Sequence, residues 1–172
     1  AGFALIFIGI DALQNGMAGL SERIDLSQYS APGLWARLLL VGIGLVMTII
    51  MQSSSAAVAT TLTAVASGTI GLDQAAALVI GQNVGTTFTA VLASIGASTP
   101  AKRTAFVHVI FNVVVAFIVF FTLPWVVDLL QHVVDDDGSG ADRAMVIAAF
   151  HTAFSLLGAA LFIPLVPQLA RF

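Results

Sequence analysis

Two uncharged polar clusters interrupt an otherwise apolar chain: Gln52-Ser53-Ser54-Ser55 and, some 30 residues later, Gly81-Gln82-Asn83-Val84-Gly85-Thr86-Thr87. Their chemistry is ion coordination rather than bond-making. The hydroxyls of Ser53, Ser54, Ser55, Thr86 and Thr87 offer lone pairs to a cation and protons to an anion. The amides of Gln52 and Asn83 present both donor and acceptor. Ser54 or Ser55, and Thr86 or Thr87, are good N-cap types, so each cluster predicts the start of a new helix. A helix beginning there aims backbone N–H groups and a positive dipole end at an anion. The carbonyls ending the preceding helix are hard oxygen ligands for a small cation. The plainer reading is that these hydroxyls bond the preceding turn or a neighbouring helix, and that Gly81-x-x-x-Gly85 is a packing motif. Taken together, the two clusters favour one shared ion site.

The elements that must position them follow from composition. Of 172 residues, 59% are hydrophobic and 9% charged, against about 25% charged in soluble domains. One small core cannot hide so much apolar surface, whereas a bilayer solvates it. The chain therefore reads as an all-α, multi-pass protein of the cell membrane. A net charge of −3, spread over loops, leaves no nucleic-acid surface. There is no cysteine, which excludes disulfides and thiolate metal sites. His108, His132 and His151 form no HxxxH pair, and no Ser-His-Asp set or Walker loop is present, so the chain does not read as an enzyme. It begins Ala1-Gly2-Phe3 with no charged segment before the apolar stretch, which reads as a piece of a longer protein rather than a signal peptide.

Spanning about 30 Å of hydrocarbon takes roughly 20 helical residues. Five regions qualify or nearly do: residues 2–20, 34–67, 75–95, 105–127 and 144–166. The loops between them are 21–33, 97–104 and 131–143, the last with the acidic run Asp135-Asp136-Asp137. Region 34–67 is too long for one span. Its arms, 35–51 and 56–67, would be about 25 Å and 18 Å long, too short for two full spans joined by Gln-Ser-Ser-Ser. A re-entrant hairpin with its tip at 52–55 fits better; one long tilted helix is the rival. Region 75–95 is expected to break at 83–86, because backbone unwinds at membrane depth only where it lines a cavity or is buried in protein. Broken helices near the midplane are the recurring device of secondary carriers.

These motifs carry a resemblance. Gln52-Ser53-Ser54-Ser55, then Gly81-Gln82-Asn83-Val84-Gly85-Thr86-Thr87, then Ala105-Phe106-Val107-His108-Val109-Ile110-Phe111-Asn112, resemble in order and spacing the signature of the type II sodium/phosphate cotransporter family. The likeness runs over most of the chain. It implies a transporter of two inverted repeats, each giving a QSSS-bearing re-entrant segment, with sodium and phosphate bound between them. One QSSS is present, so the chain is similar to a single repeat. Lys102-Arg103 and Phe150-His151-Thr152 resemble the second repeat, although Ser155 stands where the family pattern has asparagine. The resemblance implies a phosphate site at Ser54, Ser55 and the amides of Thr86 and Thr87, and a sodium site at Gln52, Ser53 and Asn83. Sodium is then the coupling ion and no other cofactor is implied. A second repeat or a second copy of the chain would complete the cavity.

Other residues read more plainly. Asp11 is the one carboxylate well inside an apolar segment, a candidate cation ligand; a helix-end position in contact with solvent is slightly favoured. His108 and His151 could relay protons, but bonding to a neighbouring helix is the commoner role. Lys102-Arg103 places its loop on the cytoplasmic side. The expected function is sodium-coupled symport of inorganic phosphate. The alternatives are a passive anion channel subunit and a carrier for another small oxyanion.

Overall fold

The computed structural model describes residues 33–134 and 139–169, with scattered helical positions between residues 2 and 15. Among the described residues there is no strand. Helix α1 spans Leu34–Met51, α2 Ser54–Ala66, α3 Leu72–Gly85, α4 Thr87–Ser94, α5 Thr99–Val134 and α6 Gly140–Phe162. A 3-10 turn, Ile163–Leu165, leads into a final helical turn, α7, Val166–Leu169. Leu34–Met51, Leu72–Ser94, Thr99–His132 and Gly140–Leu169 are each long and apolar enough to cross a membrane, whereas Ser54–Ala66 is apolar but shorter. The chain is an all-α polytopic membrane protein. Most of the expected first span, and the loops at 21–32 and 135–138, lie outside the described residues. Within 2–15, Asp11 is exposed and accepts a bond from Asn15 Nδ2 at 3.3 Å.

Apolar side chains cover the outside as well as the inside. Trp35, Phe106, Phe117, Trp125 and Leu156 are all more than 60% exposed. Such a surface suits lipid and would drive association in water. The core lies between α3, α5 and α6, where Ile80, Val115, Leu123, Ile147 and Phe150 are fully buried, with Val65 of α2 against them.

Glycine sets the closest packing. A Cβ on Gly44 would strike the Leu78 carbonyl, and one on Gly81 the Val41 carbonyl. One on Gly85 would lie 2.8 Å from both the Leu45 oxygen and the Thr48 Cβ. Position numbers rise together along both helices, so α1 and α3 run parallel with their backbones almost touching. Gly81-x-x-x-Gly85 is therefore a packing motif. Helix α2 runs antiparallel to α3: Gln82 Nε2, near the end of α3, donates to Ala57 O at 3.1 Å and Thr61 Oγ1 at 2.8 Å, near the start of α2. Helix α6 starts beside the end of α2, with Gly140 against the Ala66 carbonyl. Helix α5 runs antiparallel to α3: Asn112 meets Asn83, while Pro124 and Asp128 reach the level of Leu72 and Asp73.

Several boundaries differ from expectation. Helix α5 starts at Thr99, so Lys102 and Arg103 sit on its first turn rather than in a loop. Pro100 does not prevent this, because first-turn N–H groups have no helical partner to lose. The connecting turn is shorter and uses Gly96 at φ 75°. At 36 residues, α5 would be about 54 Å long, so its ends project beyond a hydrocarbon core of about 30 Å. Helix α6 begins at Gly140, capped by Ser139, whose Oγ accepts from the Asp142 amide at 3.2 Å. The span expected over 144–166 starts four residues earlier and ends in the 3-10 turn Ile163–Leu165.

Candidate ion-binding site

The first cluster is a two-residue reversal. Gln52 closes α1 in the left-handed conformation (φ 53°, ψ 22°), and its N–H donates to Thr48 O at 2.8 Å. It is the one non-glycine residue with positive φ among those described. Such a conformation costs about 1 kcal/mol or more and is common at functional sites. Ser53 is extended, and its Oγ accepts from the Ala56 amide at 3.3 Å, which caps α2. Its hydroxyl also lies 3.2 Å from that of Ser55. Ser54 and Ser55 form the first turn of α2, where amides point along the helix axis without helical partners.

The second cluster unwinds less than expected. The expected break across 83–86 is confined to Thr86, which keeps helical angles (φ −59°, ψ −27°) and donates its N–H to Gln82 O at 3.2 Å. Side-chain chemistry explains the small interruption. Thr86 Oγ1 donates to Asn83 O at 2.6 Å, and Thr87 Oγ1 to Val84 O at 2.8 Å. The hydroxyls thus occupy carbonyls that an unbroken helix would pair with backbone amides. Asn83 Nδ2 donates to Asn112 Oδ1 at 2.9 Å, and Asn112 Nδ2 to His108 O at 2.9 Å. Thr87 is buried, while Asn83 and Thr86 are partly so.

Helix register brings the clusters to neighbouring depths. Val41 lies beside Gly81, and Leu45 and Thr48 lie beside Gly85, so Gln52 falls about one turn beyond Thr86, while the bonds of Gln82 to Ala57 and Thr61 bring Ser54 and Ser55 back to about the level of Thr86. Asn112 of α5 joins this level through Asn83. His151 of α6 joins it across a cavity of about 270 Å³, which it lines with Ser54, Ser55, Val58, Ala59 and Leu62. These polar groups therefore lie within about one to two helical turns of a common level, the polar plane of the bundle. Helix α4 continues eight residues past it, about 12 Å at 1.5 Å per residue. The α1–α2 tip, about one turn beyond Thr86, accordingly stops one to two turns short of the far end of α4.

Of the seven residues expected to bind ions, only Ser54 and Ser55 line that cavity. Gln52 and Ser55 are exposed at the tip, and Ser53 and Ser54 are half-buried. Two residues were undervalued by sequence reasoning. Gln82 is fully buried and ties α3 to α2, although it sat unremarked inside a quoted motif. His151 faces the serines, where a bond to a neighbouring helix was the expectation. Its signal was the echo of His108-x-x-Phe111-Asn112 in His151-x-x-Phe154-Ser155. None of the described lysines or arginines lines the cavity, and no His, Cys, Asp or Glu cluster fit for a metal occurs among the described residues.

The profile described as Na+/Pi-cotransporter matches residues 5–132, most of the chain. The chain belongs to the Na+/Pi-cotransporter family. Among curated members of similar sequence, "Uncharacterized protein YqeW" of Bacillus subtilis (strain 168) is 34% identical over 167 residues, covering 95% of this chain and 52% of that protein. "Putative inorganic phosphate export protein YjbB" of Escherichia coli (strain K12) is 29% identical over 171 residues, 99% of this chain and 30% of that protein. Its namesake in Salmonella typhimurium is 26% identical over the same length. The chain thus spans about half the length of the first relative and under a third of the others. No solved structure matches it.

Proposed function

We propose that this chain is one half of a sodium-coupled carrier for inorganic phosphate, with the α1–α2 pair as a re-entrant hairpin. The observation that supports the reading is the polar plane: Thr48 packs on Gly85, so the α1–α2 tip and the Thr86 interruption follow within about one helical turn of each other. The N-terminus of α2 and the hydroxyls of Ser54 and Ser55 supply donors to phosphate oxygens, with His151 across the cavity. The Thr87 amide begins α4 and adds a donor from the other side, whereas the Thr86 amide, also expected there, is held by Gln82 O. The hydroxyls of Thr86 and Thr87 donate inward to carbonyls, so they offer lone pairs outward. Together with Gln52, Ser53 and the Asn83 oxygen these make an oxygen-rich set suited to sodium. The exposure of Gln52, Ser55, Thr152 and Ser155 supports a site completed by a second repeat or a second copy, for which the longer relatives have room.

The test is labelled phosphate flux in liposomes carrying the full-length parent. Saturable flux that requires sodium is expected. Non-saturating, sodium-independent flux would favour the passive channel, and equal transport of arsenate or sulfate a broader oxyanion carrier. The names of the Escherichia coli and Salmonella relatives point to export, so the sodium gradient is imposed in both directions. A coupled carrier follows the gradient either way.

A further inference from the structure

Away from the polar plane, two adjoining cavities share the α1 and α5 faces. One, of about 310 Å³, is wholly apolar, and its lining includes Leu34, Leu38, Val41, Phe117, Phe120 and Phe121. The other, of about 460 Å³, lies where α1, α3 and α6 begin, and holds Arg37, Asp73, Asp128 and Arg143. They are continuous by helix periodicity. Leu34, Arg37, Leu38 and Val41 share one stripe of α1, and Phe117, Phe120, Phe121, Pro124 and Asp128 share one stripe of α5. Trp35 and Trp125, 82% and 71% exposed, neighbour the charged cavity in sequence on α1 and α5. Exposed tryptophans mark the headgroup level of a bilayer. The charged cavity therefore sits at the membrane–water interface, and the apolar groove runs from it toward the bilayer centre.

Helix stability does not account for the two arginines. Arg37 lies in the first turn of α1 and Arg143 in the first turn of α6. Cations are disfavoured at that end of the macrodipole. Among the described residues neither arginine forms an ion pair with Asp73 or Asp128, although all four line one cavity. Two cations and two carboxylates in one interfacial cavity complement a ligand that carries both signs.

We propose that this groove binds a phospholipid with an ethanolamine headgroup. Arg37 and Arg143 hold the phosphate, for which guanidinium offers paired donors. Asp73 and Asp128 accept from the primary ammonium, which donates three bonds. A choline headgroup has no N–H to give them, and a glycerol headgroup leaves both carboxylates unanswered beside an anion. One acyl chain lies along Leu34, Leu38 and Phe117, against otherwise exposed apolar surface. The bound lipid would brace α1, and with it the hairpin that carries Gln52–Ser55.

Native mass spectrometry of the full chain in detergent, with dioleoyl phosphatidylethanolamine, phosphatidylcholine or phosphatidylglycerol added, tests this. The ethanolamine lipid should be retained in preference to both others. Retention should fall about tenfold in an Arg37→Gln/Arg143→Gln variant, as expected for loss of charge-assisted bonds. Leu38→Trp should lower retention of all three lipids by filling the groove. Asp128→Asn should move the preference toward the glycerol lipid, and it serves as the decisive variant if the double arginine substitution does not fold. Equal retention of the three lipids, or an unchanged preference in Asp128→Asn, overturns the proposal. So does disulfide formation between two copies carrying Leu38→Cys at full yield, which would make the groove a protein interface. Phosphate flux is not the readout, so failure here leaves the carrier reading intact.

Discussion

The Gln82 side chain is enclosed between α2 and α3, donating to Thr61 Oγ1 at 2.8 Å and Ala57 O at 3.1 Å, while its Oε1 has no partner among the described residues. A buried amide in this position fixes the spacing of the two helices whose ends form the polar plane. Gln82→Leu keeps the volume but leaves the Thr61 hydroxyl without its partner on α3 and takes a second donor from the Ala57 carbonyl, which α2 already pairs. Losing these bonds costs about 1–2 kcal/mol, less than the same change would in many soluble cores because membrane-embedded references also find partners. Thermal unfolding in detergent should show a lower midpoint for Gln82→Leu; an unchanged midpoint would mean that the pair contributes little. The uneven legibility of residues has a physical basis. The cap of α2 reads to within one residue, since N-capping is a local property of residue type: Ser54 or Ser55 was the expectation, and it is Ser53 whose Oγ accepts from the Ala56 amide. Gln82 and His151 do not, since their roles depend on which helix faces them, and residue type carries no such information.

Contact between α1 and α3 is the tightest in the fold, and it is made by glycine. A methyl group on Gly81 would collide with the Val41 carbonyl, and backbone cannot yield as a side chain can. Gly81→Ala should therefore force the helices apart and destabilise by about 1–3 kcal/mol or more, the range for overpacking. Gly42, next to Val41 on α1 but facing away from α3, meets nothing within 4 Å. Gly42→Ala should be neutral or slightly stabilising through helix propensity. Denaturant titration of the two variants side by side separates packing from propensity, and equal effects would contradict the parallel contact. Helix existence was legible because runs of apolar residues long enough to span a bilayer are unambiguous. Helix ends were less so: Pro100 looked like a loop marker but sits in a first turn, where its missing N–H is immaterial. In region 75–95 a break across 83–86 was expected, and the helix departs from regularity only at Thr86, because the threonine hydroxyls satisfy the carbonyls that unwinding would have exposed. The parallel pairing of α1 with α3 was beyond reach, since helices apolar on every face do not declare which face packs.

For the whole molecule the deciding quantity is charge. Phosphate near neutral pH carries one to two negative charges, and the cavity beside Ser54, Ser55 and His151 holds no lysine or arginine among the described residues. A helix N-terminus contributes about half a positive charge, so those of α2 and α4 together offset about one. Serine hydroxyls add dipoles and no net charge. In a site shielded from water this shortfall is severe, because Coulomb energies rise as the effective dielectric constant falls. On the proposed carrier reading a bound cation supplies the rest, with the oxygen-rich set at Gln52, Ser53, Asn83, Thr86 and Thr87 as its proposed place. Sodium is then part of the anion site rather than a separate passenger, and coupling follows from electrostatics without a dedicated relay. Binding linkage is reciprocal: if sodium raises phosphate affinity by some factor, phosphate raises sodium affinity by the same factor. Gln52→Ala and Ser53→Ala should therefore weaken phosphate binding although neither side chain needs to touch phosphate. The loss should appear as a shift of the sodium dependence to higher concentration, largely recovered at saturating sodium. Ser155→Ala should do little, because its hydroxyl is exposed and bonded to its own helix at His151 O. The measurement is phosphate affinity of the full-length parent across a wide sodium range at constant ionic strength. If affinity proves independent of sodium and of every other cation tried, the charge argument fails and a passive anion pathway becomes the better account.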